Sequence, residues 1–391
     1  MKRVRDLFEK IISDDNLRKA IDEVNSSHHW KAHHKPNRCT AWVEETKEDR
    51  VKELRKIIIN GFEQQPPKVS IRYDPSAQKE RVICEPIQWP DQYVHHALIQ
   101  VLQPAMMRGM DYYCCGSIEG RGAHYAKKAI EGWLRNDKTG TRWELCADIY
   151  HFYDSLTPEV VMNRMRELIK DARTLDLIWR VVKDGIKIGS YPSQWFANTV
   201  LQPLDMMIRQ SGLSTRNVRY MDNLTIFGSN KRKLRKLKVK IEKWLECHDL
   251  RLKGDWQIFP VGGIEEKARL PDAVGYRYGR TYTIPRKHNL IRIKRALKRY
   301  RKRREKGFVP RKMAHSILSR LGQIKHCNNC NLFRELYQGE RIERELKDII
   351  RKEKEEMTWN MYLEQRRQLR ESLRSSKPSE TQTQSSLVDN P

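Results

Sequence analysis

Two aspartates stand where an apolar run stops. Asp148 closes the run WELCAD, and Asp222 sits at the tip of YMDN, between runs that alternate as strands do. A strand end or hairpin tip can project a carboxylate into a cleft while apolar neighbours anchor the backbone. Two such carboxylates on adjacent strands can bridge two Mg2+ ions, with Mn2+ as a substitute. Nucleotidyl transfer needs that pair: one ion activates a 3′-hydroxyl, and the other holds the triphosphate and offsets charge on the leaving pyrophosphate. A single aspartate at a strand end is more often a turn former, so the reading requires the two to converge.

The elements around these positions form an α+β pattern. Residues 1–25 predict one or two amphipathic helices with a break at Ser13 and Asp14, and 46–60 a helix ended by Gly61. KVSIRYD (68–74) and RVIC (81–84) predict a hairpin with a basic tip. Residues 91–108 predict a buried helix started by Asp91 and kinked or split by Pro104. Helices are expected over 122–136, 157–172, 173–184 and 230–247, with one long helix from Pro192 to Arg209. Residues 143–149 predict a strand, 216–228 a hairpin, and 256–260 and 273–278 short strands. Leu290, Ile293, Leu297 and Tyr300 give the basic segment 288–307 an apolar helical stripe. The tail 373–391 is polar and is expected to be disordered.

Composition narrows the partners. The 391 residues carry 77 Lys and Arg against 50 Asp and Glu, a formal net charge of +27. A chain this basic is drawn to polyanions, nucleic acid first. No run is long and apolar enough for a transmembrane helix, and the opening residues lack a secretory pattern. The eight cysteines form no disulfide framework, which fits a reduced, cytoplasmic protein. Cys327 and Cys330 have zinc-knuckle spacing without a second pair. His29 and His33 could share a helix face, but no carboxylate or cysteine completes a ligand set, and a nucleic-acid-facing loop or surface histidines fit that stretch better.

Several segments, taken in order, resemble the motifs of reverse transcriptases. ADIYHFYDSL is similar to motif A, GIKIGSYPSQWFAN to motif B, RYMDNLTIFG to motif C, LRLKGDWQIFP to motif D and DAVGYRYGR to the motif E primer grip. KERVICEPIQWPDQYVHHAL and CGSIEGRGAHYAKKAI resemble the fingers motifs. The likeness runs from about residue 65 to 285, with a weaker thumb similarity to about 335. It implies a right-hand polymerase: an N-terminal extension over 1–44, fingers and an antiparallel palm backed by helices over 45–287, and a helical basic thumb over 288–372.

Within that resemblance Asp148 and Asp222 would be the metal ligands, with the Ile149 carbonyl as a third. Tyr153 falls at the aromatic steric gate that favours dNTPs; packing alone is the other reading of its ring. Lys79 and Arg81 would grip the incoming triphosphate, and Ile188, Gly189 and Gln194 would line the nucleotide site. Arg121 would contact template or nucleotide, or else solvate its turn. Lys253 would be the motif D general acid for pyrophosphate, or a solvated lysine. Arg295, Arg299 and Arg303, on the basic helix, would hold the phosphates of an RNA–DNA duplex.

Two departures from the pattern are notable. Asn223 stands where many reverse transcriptases have a second motif C aspartate. Ile188-Gly189 with Ser193-Gln194 is similar to the enzymes of diversity-generating retroelements and related bacterial lineages, some of them antiphage; in the retroelement enzymes this substitution goes with loose selection opposite adenine. The expected partners are an RNA template, a DNA primer and dNTPs, with an accessory protein or cognate structured RNA and no membrane. Template-independent or protein-primed synthesis, and a catalytically weak nucleic-acid-binding protein, are the alternatives.

Overall fold

The computed structural model describes residues 3–29, 37–74, 79–262, 268–328 and 330–352. The tip of the predicted hairpin, His33 and the tail 373–391 lie outside them. The chain divides into two units, 1–283 and 284–391.

Among the described residues, the first unit is built around a five-stranded sheet. Lys68–Asp74 (β1) and Lys79–Glu85 (β2) form a separate antiparallel hairpin. The central sheet takes Cys114–Cys115 (β3), Trp143–Asp148 (β4), Arg216–Tyr220 (β5), Asn223–Gly228 (β6) and Gln257–Pro260 (β7), in the order β3-β5-β6-β4-β7. All neighbours are antiparallel except β3 and β5, which run parallel. β6 lies in the middle, and Leu224 to Gly228 are buried, as a strand covered on both faces must be. β4 alternates more: Leu145 and Ala147 point into the core, while Cys146 and Asp148 are only half-buried.

Helices cover the sheet. The helix Lys231–Glu246 buries Leu234, Leu237, Ile241 and Leu245, one apolar stripe at three- and four-residue spacing. Fully burying each such side chain stabilises the fold by about 1.5–3 kcal/mol. Its Asn230 cap accepts from the Arg232 and Lys233 N–H groups. The N-terminal helix Asp14–His29 shares the same core through Leu17, Ile21 and Val24.

Three expectations are corrected. The helix predicted from Asp91 begins at Tyr93, after an irregular turn over Gln88–Gln92, and Asp91 is not its cap. The Asp91 carboxylate instead accepts from the Gln65 N–H at 2.9 Å, and its burial pushes its pKa up to about 6. Tyr93–Met107 then continues past Pro104 as one helix. The long helix expected from Pro192 to Arg209 is two, Tyr191–Val200 and Gln202–Gln210, because Pro203 has no N–H to donate back and so sits in the first turn of a new helix. Two elements that the pattern did not announce are the helix Arg38–Glu45 and the two-residue strand β3.

The second unit is helical. Lys287–Glu305, Arg311–Lys325 and Cys330–Tyr337 pack through Ile293, Leu297, Tyr300, Ile317, Leu321 and Leu336. Cys327 is buried and Cys330 exposed, and the described residues hold no group of three His, Cys, Asp or Glu side chains able to bind a metal. No described helix is long and apolar enough to cross a membrane.

One carboxylate ties the N-terminal segment to the rest of the first unit. Asp171 caps the helix Ala172–Val182 and also accepts from the Leu7 and Phe8 N–H groups at 3.0 and 2.8 Å. Partial burial works against its ionised form, but the donors at Phe8, Thr174 and Leu7 outweigh that and hold its pKa below the usual aspartate value. A carboxyl depressed on folding contributes stability above its unfolded pKa and loses it as pH falls through the folded one. Asp171→Ala is therefore expected to cost about 1–3 kcal/mol at neutral pH. In urea melts, that difference should shrink below about pH 4.

Candidate active site

The hairpin β5–β6 and the end of β4 bring the two aspartates together. Asp148 lies opposite Asn223 in the β4–β6 register, and the Ile149 N–H donates to the Asp222 carbonyl at 3.2 Å. The side chains of Asp148 and Asp222 are within hydrogen-bonding reach of each other. Partial burial, then the Asp222 charge and that hydrogen bond, push the Asp148 pKa up to about 6; Lys253 pulls the other way. Asn223 donates its amide to Asp222 Oδ1 at 3.3 Å, so the position that departs from the motif supplies a hydrogen bond and no charge.

Residues 251–253 lie against β4's end. The Lys253 N–H donates to the Asp148 carbonyl at 2.8 Å and the Tyr150 N–H to the Arg251 carbonyl at 2.9 Å, so Ile149 bridges Leu252. Lys253 Nζ pairs with Asp255 at 2.5 Å, and that hydrogen bond, with the Asp255 and Asp148 charges, raises its pKa. The ammonium beside the carboxylates is thus held charged, and the pairing with Asp255 works against release of its proton.

Tyr153 follows the αL turn at His151. Its phenol is largely buried, and burial first, then the Asp222 charge, raises its pKa, while Arg81 lowers it. The ring is thus within electrostatic reach of a site carboxylate on one side and of the β1–β2 hairpin on the other. Arg72 and Arg81 face each other across that hairpin. Lys79 opens β2 opposite Asp74.

The motif B loop is fastened to the same hairpin. The Cys84 N–H donates to the Ile188 carbonyl at 2.8 Å. Gly189 has φ +108, and a Cβ there would come within 2.8 Å of the Cys84 carbonyl oxygen and of Ile83 Cγ2. Only glycine fits both the backbone and the approach. Gln194 is exposed on the helix that follows.

The remaining predicted residues lie elsewhere. Arg121 works within its own loop: its guanidinium donates to the Asp111 carbonyl at 3.0 Å and lies 5.3 Å from the Tyr112 ring. Arg295, Arg299 and Arg303 belong to the second unit, where they recur every fourth residue along an exposed face of Lys287–Glu305. Arg301 and Arg304, on the flank of that helix, pair with Glu340.

The sequence did not single out what holds the motif C turn. Arg219 is 1% exposed. It binds Asp205 through Nε to Oδ1 at 2.9 Å and Nη2 to Oδ2 at 2.7 Å. Nη1 donates to Asn198 Oδ1 at 2.8 Å and to the Met221 carbonyl at 2.9 Å, and Nη2 is 3.0 Å from Cys114 Sγ. Asn198 in turn donates to the Gly116 carbonyl at 3.1 Å. Met221, next to Asp222, has φ 56. The one available signal was the spacing of Asn198 and Asp205 on an otherwise apolar stretch, which puts two polar groups where burial would demand partners.

A mixed sheet with paired carboxylates at the β4 end and the β5–β6 turn is the palm of a right-hand polymerase. The comparisons agree. Residues 68–255, just under half of the chain, match the family described as reverse transcriptase (RNA-dependent DNA polymerase). Protein YkfC of Escherichia coli (strain K12) is 23% identical over 175 residues, 41% of this chain and 46% of YkfC, so the match spans under half of that relative. Telomerase from Candida albicans, solved with a TWJ fragment of telomeric RNA, is 14% identical over 76% of this chain and 62% of its own, with a TM-score of 0.44. Apo telomerase from Candida tropicalis, truncated of its C-terminal domain, is 14% identical over 56% of this chain and 54% of its own, with a TM-score of 0.43. The fold assignment rests on the strand order and the family match.

A carboxyl whose pKa rises on folding costs stability as pH climbs from its unfolded toward its folded value. Without divalent cations, the wild-type chain should therefore lose about 1–2 kcal/mol relative to Asp148→Asn between about pH 4 and pH 7. Paired urea melts across that range measure the difference; parallel pH profiles for the two proteins would contradict it.

Proposed function

We propose that this chain is an RNA-directed DNA polymerase that adds dNTPs to a primer 3′-hydroxyl. The observation that carries the reading is the convergence of the Asp148 and Asp222 carboxylates at the palm. Two carboxylates in contact disfavour joint ionisation, and a bound divalent cation relieves that repulsion. The donor set, all oxygen, suits Mg2+, with Mn2+ as a substitute. Asp148, Asp222 and the Ile149 carbonyl would hold two such ions, which when bound supply Lewis-acid activation of the 3′-hydroxyl and charge compensation at the phosphates.

The chain's own residues do the rest. Arg81 and Lys79, on the hairpin above, pair with the triphosphate oxygens. Tyr153 occupies the space beside the sugar, where a 2′-hydroxyl would meet the ring, and so selects dNTPs over rNTPs. Lys253 exchanges its pairing with Asp255 for the leaving pyrophosphate, to which it donates a hydrogen bond and a proton. The exposed arginine row Arg295, Arg299 and Arg303 binds duplex phosphates, and the net charge of +27 favours the template and primer as partners.

Primer extension on a defined RNA template with Mg2+ tests this directly. Asp148→Ala and Asp222→Ala should each lower extension by about 10³-fold or more, since each removes a ligand to the charge-compensating ions. Both variants should still bind an RNA–DNA duplex in a filter assay. Extension left intact in either variant, or wild-type synthesis that ignores the template, would sink the proposal. A second substitution tests selectivity: Tyr153→Val should raise rNTP incorporation relative to dNTP by about tenfold or more. An unchanged ratio would reduce Tyr153 to a packing residue.

A further inference from the structure

We infer that Arg219 is a positioning residue for Asp222: it holds the Met221 backbone in the conformation that aims the neighbouring carboxylate at Asp148. The inference rests on the polymerase reading above and extends it to a buried network that touches no substrate.

The geometry is unusually complete for a buried cation. All five guanidinium N–H groups have acceptors. Asp205 takes two, Asn198 Oδ1 and the Met221 carbonyl take the two on Nη1, and the last faces Cys114 Sγ and the Asn198 carbonyl. Those acceptors belong to β3, to the helices Tyr191–Val200 and Gln202–Gln210, and to the β5–β6 turn. One planar side chain thus fixes four segments relative to each other.

The turn needs fixing. Met221 is a non-glycine residue at φ 56, a conformation that costs about 1 kcal/mol unless the surroundings hold it. Besides the Arg219 bond to its carbonyl, its N–H donates to the Cys115 carbonyl at 3.2 Å. Its side chain packs over Gly116, where an added Cβ would lie 3.1 Å from Met221 Cγ and 3.2 Å from Sδ. The backbone of residue 221 is therefore gripped at both its N–H and its carbonyl, immediately before the carboxylate that must not move. Stability alone does not call for this arrangement, because a buried ion pair is often no more stable than an apolar pair of the same volume.

The test separates charge pairing from fork geometry. Arg219→Lys keeps a cation for Asp205, but a single ammonium cannot also span Asn198 and the Met221 carbonyl. Arg219→Met with Asp205→Leu replaces the pair by apolar volume. The expected result for each folded variant is a kcat for primer extension lowered about 10–100-fold with the KM for dNTP within about threefold. The Mg2+ concentration giving half of the maximal thermal shift should rise about tenfold in the same variants, a readout independent of turnover. Wild-type kcat and Mg2+ response in a folded Arg219→Lys chain would overturn the inference. So would loss of folding in both variants, which would assign the pair to stability. Wild-type protein that extends no primer would instead defeat the polymerase reading itself.

Discussion

Two carboxylates in contact repel, and the architecture around Asp148 and Asp222 exists in opposition to that force. Left to itself, a turn carrying Asp222 would swing away from β4 and let both groups hydrate. The register prevents it. Asp148 faces Asn223 across the β4–β6 ladder, the Ile149 N–H is bonded to the Asp222 carbonyl, and the Lys253 N–H is bonded to the Asp148 carbonyl. The backbone of each aspartate is thus tied to a neighbouring segment. Burial first, and then the charge of Asp222, raise the pKa of Asp148. The share that comes from repulsion is what a divalent cation would relieve on binding, and it is the physical link between the fold and the proposed chemistry.

The rest of the first unit reads as support for this arrangement in layers. β6 is central and buried on both faces, so its apolar side chains hold the hairpin within the core. The helix Lys231–Glu246 presses on the sheet through four aliphatic side chains. Beneath the turn, Arg219 replaces what would otherwise be apolar packing with directed bonds. Aliphatic contacts set a distance but only weakly set an orientation, whereas a planar fork with five donors sets both. The site therefore uses hydrophobic burial to place the strands and a buried polar network to aim one of them.

The legible part of the sequence was its periodicity. Alternation around YMDN announced the hairpin, and the short apolar run before Asp148 announced β4. The aspartates themselves were readable through the ordered set of motifs around them, since an aspartate at a strand end is by itself more often a turn former. The break between Tyr191–Val200 and Gln202–Gln210 was missed, although Pro203 marked it, because the apolar spacing continues on both sides. Strand β3 was missed because two residues carry no period at all. Arg219 was hidden for a different reason. In a chain with 77 lysines and arginines, one more arginine in a strand looks like surface charge, and only the three-dimensional pairing with Asp205, fourteen residues away, distinguishes it.

The β1–β2 hairpin shows how a nucleotide could be coupled to the palm. One face of it carries Val69, Ile71, Tyr73 and Val82, all exposed, and the other carries Arg72, Arg81 and Ile83. Alternation puts Arg81 and Ile83 on the same side, so the residue that touches Gly189 and the residue within reach of Tyr153 move together. The bond from the Cys84 N–H to the Ile188 carbonyl adds a main-chain tie at that point. A hairpin joined to the motif B loop by backbone contacts cannot shift without displacing Ile188 and Gly189. A movement of Arg81 would therefore be passed, through two residues of strand, to Gly189. Because that tie is main chain, replacing the side chain of Ile188 leaves the coupling in place and alters only the surface the loop presents.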